Sequence, residues 1–194
     1  PQNALPIYMD VNLTVGASNT YDIERQGKVE KAWEFTLPIS GRLLGVGGHL
    51  HDFGHSVRLE DAETGKVLTE IKAKVDKDGK LLKLDRKLFG VSGAGMKLKG
   101  GHRYRVVGVY DNKSGAPITG AMAHMVGLFI PDDISQWPKV DLADEDMQND
   151  LASLAEMGGG HKHEGHEGHE MKLQCEVRDR KSTRLNSSHV ALSR

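Results

Sequence analysis

The stretch SVRLEDAETGKVLTEIKAKVDKDGKLLKLDRKLF, residues Ser56–Phe89, decides the fold class. In it, segments that alternate apolar and polar residues are separated by two short polar stretches, AETGK and DKDGK. Their Gly, Asp and Lys residues are typical of tight turns. Alternation with a period of two is the pattern of a strand that buries one face. The stretch therefore predicts consecutive hairpins built from the strands SVRLED, VLTEIKAKV and LLKLDRKLF.

Segments of the same kind run from Ile7 to Pro131, among them IYMDVNLTV, KAWEFTLPIS, GRLLGVGGHLHDFG, HRYRVVGVY and AMAHMVGLFIP. The chain has 194 residues, and 23 glycines against four Phe, four Tyr and two Trp favour many turns over long packed helices. We therefore predict an all-β fold, an antiparallel β-sandwich or jelly roll, in one domain that covers residues 1–138.

The pattern changes in residues 139–157, where VDLADEDMQNDLASLAEM predicts a short amphipathic helix with Asp141 as its N-cap. Residues 158–178 contain HKHEGHEGHE and are too polar and glycine-rich to pack, which predicts a disordered linker. Flexible imidazoles can chelate metal ions weakly, so this linker is also a candidate metal-binding tail. Its candidate ligands are His161, His163, His166 and His169.

Residues 179–194, DRKSTRLNSSHVALSR, resemble a translated sequencing adapter, and we predict that they are not native. Without them the chain has 22 basic and 26 acidic residues, because the segment carries four of the 26 Lys and Arg and one of the 27 Asp and Glu. This mildly acidic balance gives no support for nucleic-acid binding. No apolar run approaches the roughly 18 residues of a membrane span. The chain opens on Pro1 rather than Met, so the lack of a visible targeting signal is uninformative.

Candidate metal ligands occur in GGHLHDFGHS, residues Gly47–Ser56, which holds three of the ten histidines. His49 and His51 are two positions apart, so on a strand they project from one face and can offer two imidazoles to one ion. In GAMAHMVGLFIP, Met122 and His124 share a strand face in the same way. A thioether is a soft ligand that suits Cu(I), so two imidazoles and a methionine would select copper.

Three further residues are candidates for supporting or additional roles at this site. His124 fits either a fourth ligand or a hydrogen-bond partner of a ligand. His55 lies past a glycine and is placed at the mouth of the site. Asp52 is a candidate for orienting a ligand imidazole, although adjacent strand positions point apart.

From about Lys31 to Asp133 the chain resembles the second domain of the copper type II, ascorbate-dependent monooxygenases, the family of peptidylglycine α-hydroxylating monooxygenase and dopamine β-monooxygenase. HLHDFG resembles the HxHxxG stretch of that family, and KLKGGHRYRVVGVYDNKSG is similar to its strand followed by a Tyr-Asn turn. GAMAHMVGLFIP is similar to the segment that carries its methionine ligand. The resemblance implies that His49, His51 and Met122 bind one copper ion, with Met122, nine residues before Pro131, preferred over Met125.

The same resemblance implies the oxygen-activating half of a copper monooxygenase, located outside the cytoplasm. Ala121 and Ala123 replace the acid and the cysteine that flank the family's methionine. The three-histidine centre of the first domain has no counterpart in the sequence, so catalysis would require a second copper domain or another electron donor. Two alternatives stay open: a non-enzymatic copper storage or delivery protein, and a structural sandwich or cupin-like domain without a copper role. The substrate and the oligomeric state stay open as well.

Overall fold

A computed structural model describes residues 4–13, 19–90 and 94–158, and in these ranges the chain forms twelve β-strands and one α-helix. A 3-10 turn at Ile134–Gln136 precedes the helix. The all-β prediction is confirmed. The elements are, in chain order, β1 Leu5–Asp10, β2 Tyr21–Ile23, β3 Gly27–Thr36, β4 Gly41–Leu50, β5 Gly54–Asp61, β6 Val67–Val75, β7 Leu81–Leu84, β8 Lys87–Leu88, β9 Met96–Leu98, β10 Arg103–Asn112, β11 Ile118–Ala121, β12 Ala123–Pro131 and α1 Glu145–Gly158.

Two antiparallel sheets form the sandwich. The first has the strand order β1-β12-β4-β8, with β9 also paired to β4, and the second has the order β3-β10-β5-β6-β7. A two-stranded sheet of β2 and β11 is separate from both. Apolar side chains of both sheets form one buried core, which includes Met9, Leu43, Met125 and Phe129 from the first sheet and Val57, Leu59, Ile71 and Val106 from the second. The predicted antiparallel sandwich is therefore confirmed.

The two predicted turns are present, and an aspartate organises each of them. Asp61 Oδ1 accepts hydrogen bonds from the backbone N–H groups of Glu63 and Thr64. Asp76 Oδ1 accepts from the N–H groups of Asp78 and Lys80, both at 2.9 Å. Such bonds offer the backbone a local partner where the strands end, which fixes the position of each turn.

The prediction of one strand over LLKLDRKLF is wrong, because this segment forms two strands in different sheets. β7 pairs with β6 in the second sheet, and β8 pairs with β4 in the first. The chain crosses from one sheet to the other at residues 85–86. The alternating pattern continues across this point, so only the pairing partners reveal the break.

A buried acid lies on the charged face of the second sheet. Glu60 is 4% exposed and accepts hydrogen bonds from Arg58 and from Arg105. Burial alone would raise the pKa of Glu60, but the two guanidinium groups outweigh it and hold that pKa below its usual value. Folding is therefore coupled to ionisation of this carboxyl group.

The helix predicted after the sandwich is present, but its cap differs from the prediction. Asp144 Oδ1 accepts the backbone N–H of Met147 at 3.0 Å, as an N-cap does, whereas Asp141 bonds to Ala143 in the turn before the helix. None of the described helices is long and apolar enough to cross a membrane. The four predicted tail histidines and residues 179–194 lie outside the described ranges.

Candidate metal centre

The pairing of β4 with β12 brings the two candidate ligand segments side by side. His124 is directly opposite His49, and Ala123 is opposite Leu50. The same register continued by one residue places Met122 across from His51. Since Leu50, Ala123 and Met125 are buried in the core, His49 and His124, which alternate with them, belong to the opposite, outer face. The structure thus places His49 and His124 on one face, with the backbones of His51 and Met122 at the adjoining strand ends.

Three imidazole rings are in contact on this face. The rings of His49 and His124 are stacked, with centroids 5.1 Å apart and an interplanar angle of 16°. The ring of His51 meets His49 edge-on at 4.8 Å. Two of these histidines come from β4 and its end, and the third comes from β12, so the contact depends on a long-range strand pair.

A buried tyrosine from the second sheet fixes the ends of both segments. The hydroxyl of Tyr110 on β10 accepts the backbone N–H of His51 at 3.0 Å and that of Met122 at 3.3 Å. It also donates to the carbonyl oxygen of Met122. One hydroxyl therefore holds the backbones of two proposed ligands together, although both lie outside the regular ladder.

The tautomer of His51 follows from its hydrogen bond. His51 Nδ1 lies 2.7 Å from the carbonyl oxygen of Gly120. A carbonyl oxygen can only accept, so Nδ1 carries the proton and the neutral ring keeps its lone pair on Nε2. Donation of one ring N–H to a backbone carbonyl is the usual way in which a metal-binding histidine is oriented.

A network behind His124 gives that ring the same tautomer. The Tyr8 hydroxyl donates to Asp10 Oδ2 at 2.7 Å and lies 2.9 Å from His124 Nδ1. Because the single hydroxyl proton points at the carboxylate, Nδ1 must donate to the hydroxyl oxygen, which leaves Nε2 of His124 as the acceptor. Asn19 Nδ2 also donates to Asp10 Oδ2, at 2.6 Å.

The carboxylate at the end of this network is buried next to the histidine cluster. Asp10 is 0% exposed, and within the described ranges its one ion-pair contact is His124 Nδ1 at 3.8 Å. A buried carboxylate is costly without a compensating charge nearby. A cation bound among the three rings would supply that charge.

Both His49 and His124 favour the neutral form. Burial is the main cause that lowers the pKa of His124, and the carboxylate of Asp10 opposes it only in part. Burial and then the neighbouring His51 lower the pKa of His49. The neutral imidazole is the form that binds metal ions, so these rings need not release a proton at neutral pH before binding.

As the side chains stand, no group of three or more His, Cys, Asp or Glu in the described part of the chain is placed to hold a metal ion. The stacked rings of His49 and His124 must rotate before their nitrogens share one ion with His51. A ligand set of two imidazoles and the thioether of Met122 differs from a three-histidine set. It requires only two of the three rings to point at one ion.

The other candidate residues lie outside the cluster. Asp52 Oδ1 accepts the backbone N–H of Leu81 at 2.8 Å, and the ring of His51 is oriented by Gly120 rather than by this carboxylate. His55 follows the turn, with its Nδ1 3.4 Å from the hydroxyl oxygen of Ser56.

Sequence reasoning missed Tyr8, Asp10, Asn19 and Tyr110. Asp10 occupies an ordinary polar position in an alternating strand, and Tyr110 an ordinary apolar one. Their roles depend on pairing with segments far away in the chain, and no local pattern marks them.

Comparison of the chain with known protein families, with curated proteins and with solved structures finds no match.

Proposed function

We propose that this chain is a copper-binding β-sandwich domain, with His49, His51 and Met122 as ligands of one ion and His124 as a fourth ligand. The observation that supports it best is the contact of three imidazoles on one face, where hydrogen bonds occupy Nδ1 of His51 and of His124. Both rings therefore keep Nε2 available for a metal ion. A thioether across the strand pair favours Cu(I) over harder ions.

The residues around the cluster suit a bound cation. The carboxylate of Asp10 lies 3.8 Å from His124 Nδ1 and is hydrogen-bonded to Tyr8, so its negative charge stabilises a cation bound among the rings. Tyr110 holds the backbones of His51 and Met122, which lowers the entropy lost when the two ligands converge. Each of these features supports a centre that is organised by the fold.

The first candidate activity is oxygen activation, as the resemblance to the copper type II monooxygenases implies. A bound copper ion would supply one-electron redox chemistry with dioxygen. The chain would hold that ion through His49, His51 and Met122 and receive electrons from a second copper domain or another donor. This proposal includes a location outside the cytoplasm.

The second candidate activity is copper storage or delivery. His49 is exposed, in contrast to the more buried His124. An ion held partly by an exposed ring is accessible to a partner or a competing ligand. This accessibility favours exchange of the ion over retention.

Copper competition with a chromophoric Cu(I) chelator tests the site. The reference is the full chain in which alanine replaces the four tail histidines, so that weak binding by the tail is removed. We expect His49→Ala with His51→Ala to abolish tight binding, and Met122→Leu to weaken Cu(I) binding more than Cu(II) binding. His102→Ala is the control, because that ring is already engaged by Asp61 and Glu63. Unchanged affinity in the double variant would refute the site.

Oxygen uptake separates the two activities. The copper-loaded chain is mixed with ascorbate and a redox mediator in an oxygen electrode, with and without candidate organic substrates. Substrate-dependent uptake that disappears in Met122→Leu supports the monooxygenase. Rapid transfer of copper to an acceptor protein without such uptake supports delivery.

A further inference from the structure

A cavity adjoins the histidine cluster at His51. Its volume is about 510 Å³, within the roughly 300–1,000 Å³ range of small-molecule sites. It lies between the turn after β4, the start of β7 and strand β11. The residues that line it are Leu50, His51, Asp52, Phe53, Leu81, Ile118 and Thr119. One of these lining residues, His51, is therefore also a proposed copper ligand.

The aromatic wall of this cavity is held in an unfavourable backbone conformation. Phe53 has a φ of 64°, and every other described residue with positive φ is a glycine. A left-handed conformation is costly for a residue with a side chain, so it persists only where the surroundings impose it. Strain of this kind clusters at ligand sites, and Phe53 lines this cavity.

The surroundings of Phe53 explain how that conformation is maintained. Its N–H donates to the carbonyl of Gly79 at 2.6 Å, and its carbonyl accepts from Asp111 N at 2.9 Å. A Cβ on Gly79 would lie 2.1 Å from the Phe53 ring. The turn between β6 and β7 thus has a glycine where the Phe53 ring needs space, which holds the ring at the wall of the cavity that His51 also lines.

The lining selects the chemistry of an occupant. Leu50, Phe53, Leu81 and Ile118 provide apolar surface, while the described residues that line the cavity include no lysine or arginine to receive an anion. The carboxylate of Asp52 already accepts a backbone hydrogen bond and repels negative charge. An ammonium group would also be costly to bury against four apolar side chains, since Asp52 is the one described lining residue with a negative charge and it already accepts the N–H of Leu81. Thr119 offers a hydroxyl for one hydrogen bond.

From this lining we infer that the cavity binds a neutral, mainly apolar organic molecule that carries a single hydrogen-bonding group. Such a molecule would contact the ring of His51, so it would lie beside the copper ion. Binding itself does not require copper. The position of the ligand next to the metal rests on the proposed function.

Amide chemical shifts of the metal-free full chain, labelled with ¹⁵N, test the cavity. Benzyl alcohol is the probe, and benzoate and benzylammonium are charged molecules of similar size. We expect benzyl alcohol to shift the amides of Phe53, Leu81 and Thr119, and both charged molecules to bind at least tenfold more weakly. Tighter binding of either charged molecule, or shifts confined to other parts of the chain, would overturn the inference.

Two tryptophan substitutions on β7 provide a matched pair. Leu81→Trp adds volume inside the cavity and should weaken benzyl alcohol binding at least tenfold. Leu82 is 58% exposed on the other side of the strand, so Leu82→Trp should leave binding unchanged. Equal affinity in both variants would contradict the assigned cavity.

A third variant, Phe53→Gly, removes the ring but accepts the left-handed backbone. A folded Phe53→Gly protein with parental affinity for benzyl alcohol would also refute the role of the ring.

Paramagnetic relaxation distinguishes failure of the cavity from failure of the metal site. Cu(II) is added to the chain whose tail histidines are replaced, in the presence of benzyl alcohol. Broadening of the bound probe's protons that disappears in His49→Ala places the probe beside the copper. If benzyl alcohol shifts the amides but its protons are not broadened, the cavity is supported and copper binding at the histidines is refuted. If benzyl alcohol shifts no amides in the metal-free chain, the cavity is refuted and the copper site is unaffected.

Discussion

Replacement of Tyr110 by phenylalanine tests whether one buried hydroxyl couples the fold to the metal site. The hydroxyl accepts from the N–H groups of His51 and Met122 and donates to the carbonyl of Met122. The ring is 1% exposed and packs in the core, so phenylalanine can occupy the same space. The change therefore removes three hydrogen bonds and little packing.

The magnitude follows from those three bonds. A hydrogen bond contributes about 0.5–1.5 kcal/mol net, and the freed backbone groups lie at a sheet end where water can replace part of the loss. We expect the free energy of unfolding to fall by about 1–3 kcal/mol. Copper affinity should fall about tenfold, because groups that orient metal ligands typically contribute 10–100-fold to affinity.

Chemical denaturation of the metal-free chain and Cu(I) competition measure the two effects separately. Tyr104→Phe is the matched control: it lies on the same strand, is 3% exposed, and its hydroxyl accepts the N–H of Lys99 at 2.7 Å rather than a group of the histidine cluster. We expect Tyr104→Phe to lower stability and leave copper affinity unchanged. Tyr110→Phe with Cu(I) affinity within twofold of the parent, or an equal loss in both variants, would refute the reasoning.

Three further predictions concern other parts of the molecule. Asp10→Asn, measured by Cu(I) competition against Asp111→Asn, should weaken binding about 10–100-fold, since the buried negative charge beside the cluster is removed; equal affinities would contradict this. The lowered pKa of Glu60 predicts stability that is present above the ordinary glutamate pKa and is lost as the pH falls through the folded-state value. Denaturation between pH 6 and about pH 3 should therefore show a shallower decline in Glu60→Gln than in the parent. Gly108→Ala should lower the free energy of unfolding by about 1–3 kcal/mol, because the new Cβ would lie 2.3 Å from the Cβ of Ala123; a thermal melt equal to the parent's would show that the two sheets can separate there at little cost.

The fold class was predictable because its signals are local. The turns at Asp61 and Asp76 are formed by residues within a few positions of each aspartate, so the sequence pattern contains all the partners. The break between β7 and β8 was not predictable in this way. Both halves have strand character, and only their pairing with β6 and β4 assigns them to different sheets.

The candidate site likewise has a part that was predictable from local sequence and a part that depends on long-range pairing. Strand alternation alone placed His49 and His51 on one face, and likewise Met122 and His124. The alignment of these two pairs depends on the β4–β12 register, and the network behind His124 depends on Asp10 being paired with it. The cap of α1 was misassigned because several acids in a row satisfy the same local rule.

The long separation between the two halves of the site determines when it can form. His51 bonds to Gly120, which lies 69 residues further along the chain. A growing or partly folded chain would therefore have His49 and His51 at the end of β4 but no β12 to complete their surroundings. In a zinc finger the metal ion nucleates a small local fold, whereas here the ion would bind only after the sandwich has closed. Tight copper binding would then report complete folding, and loss of the β4–β12 pair would release the ion.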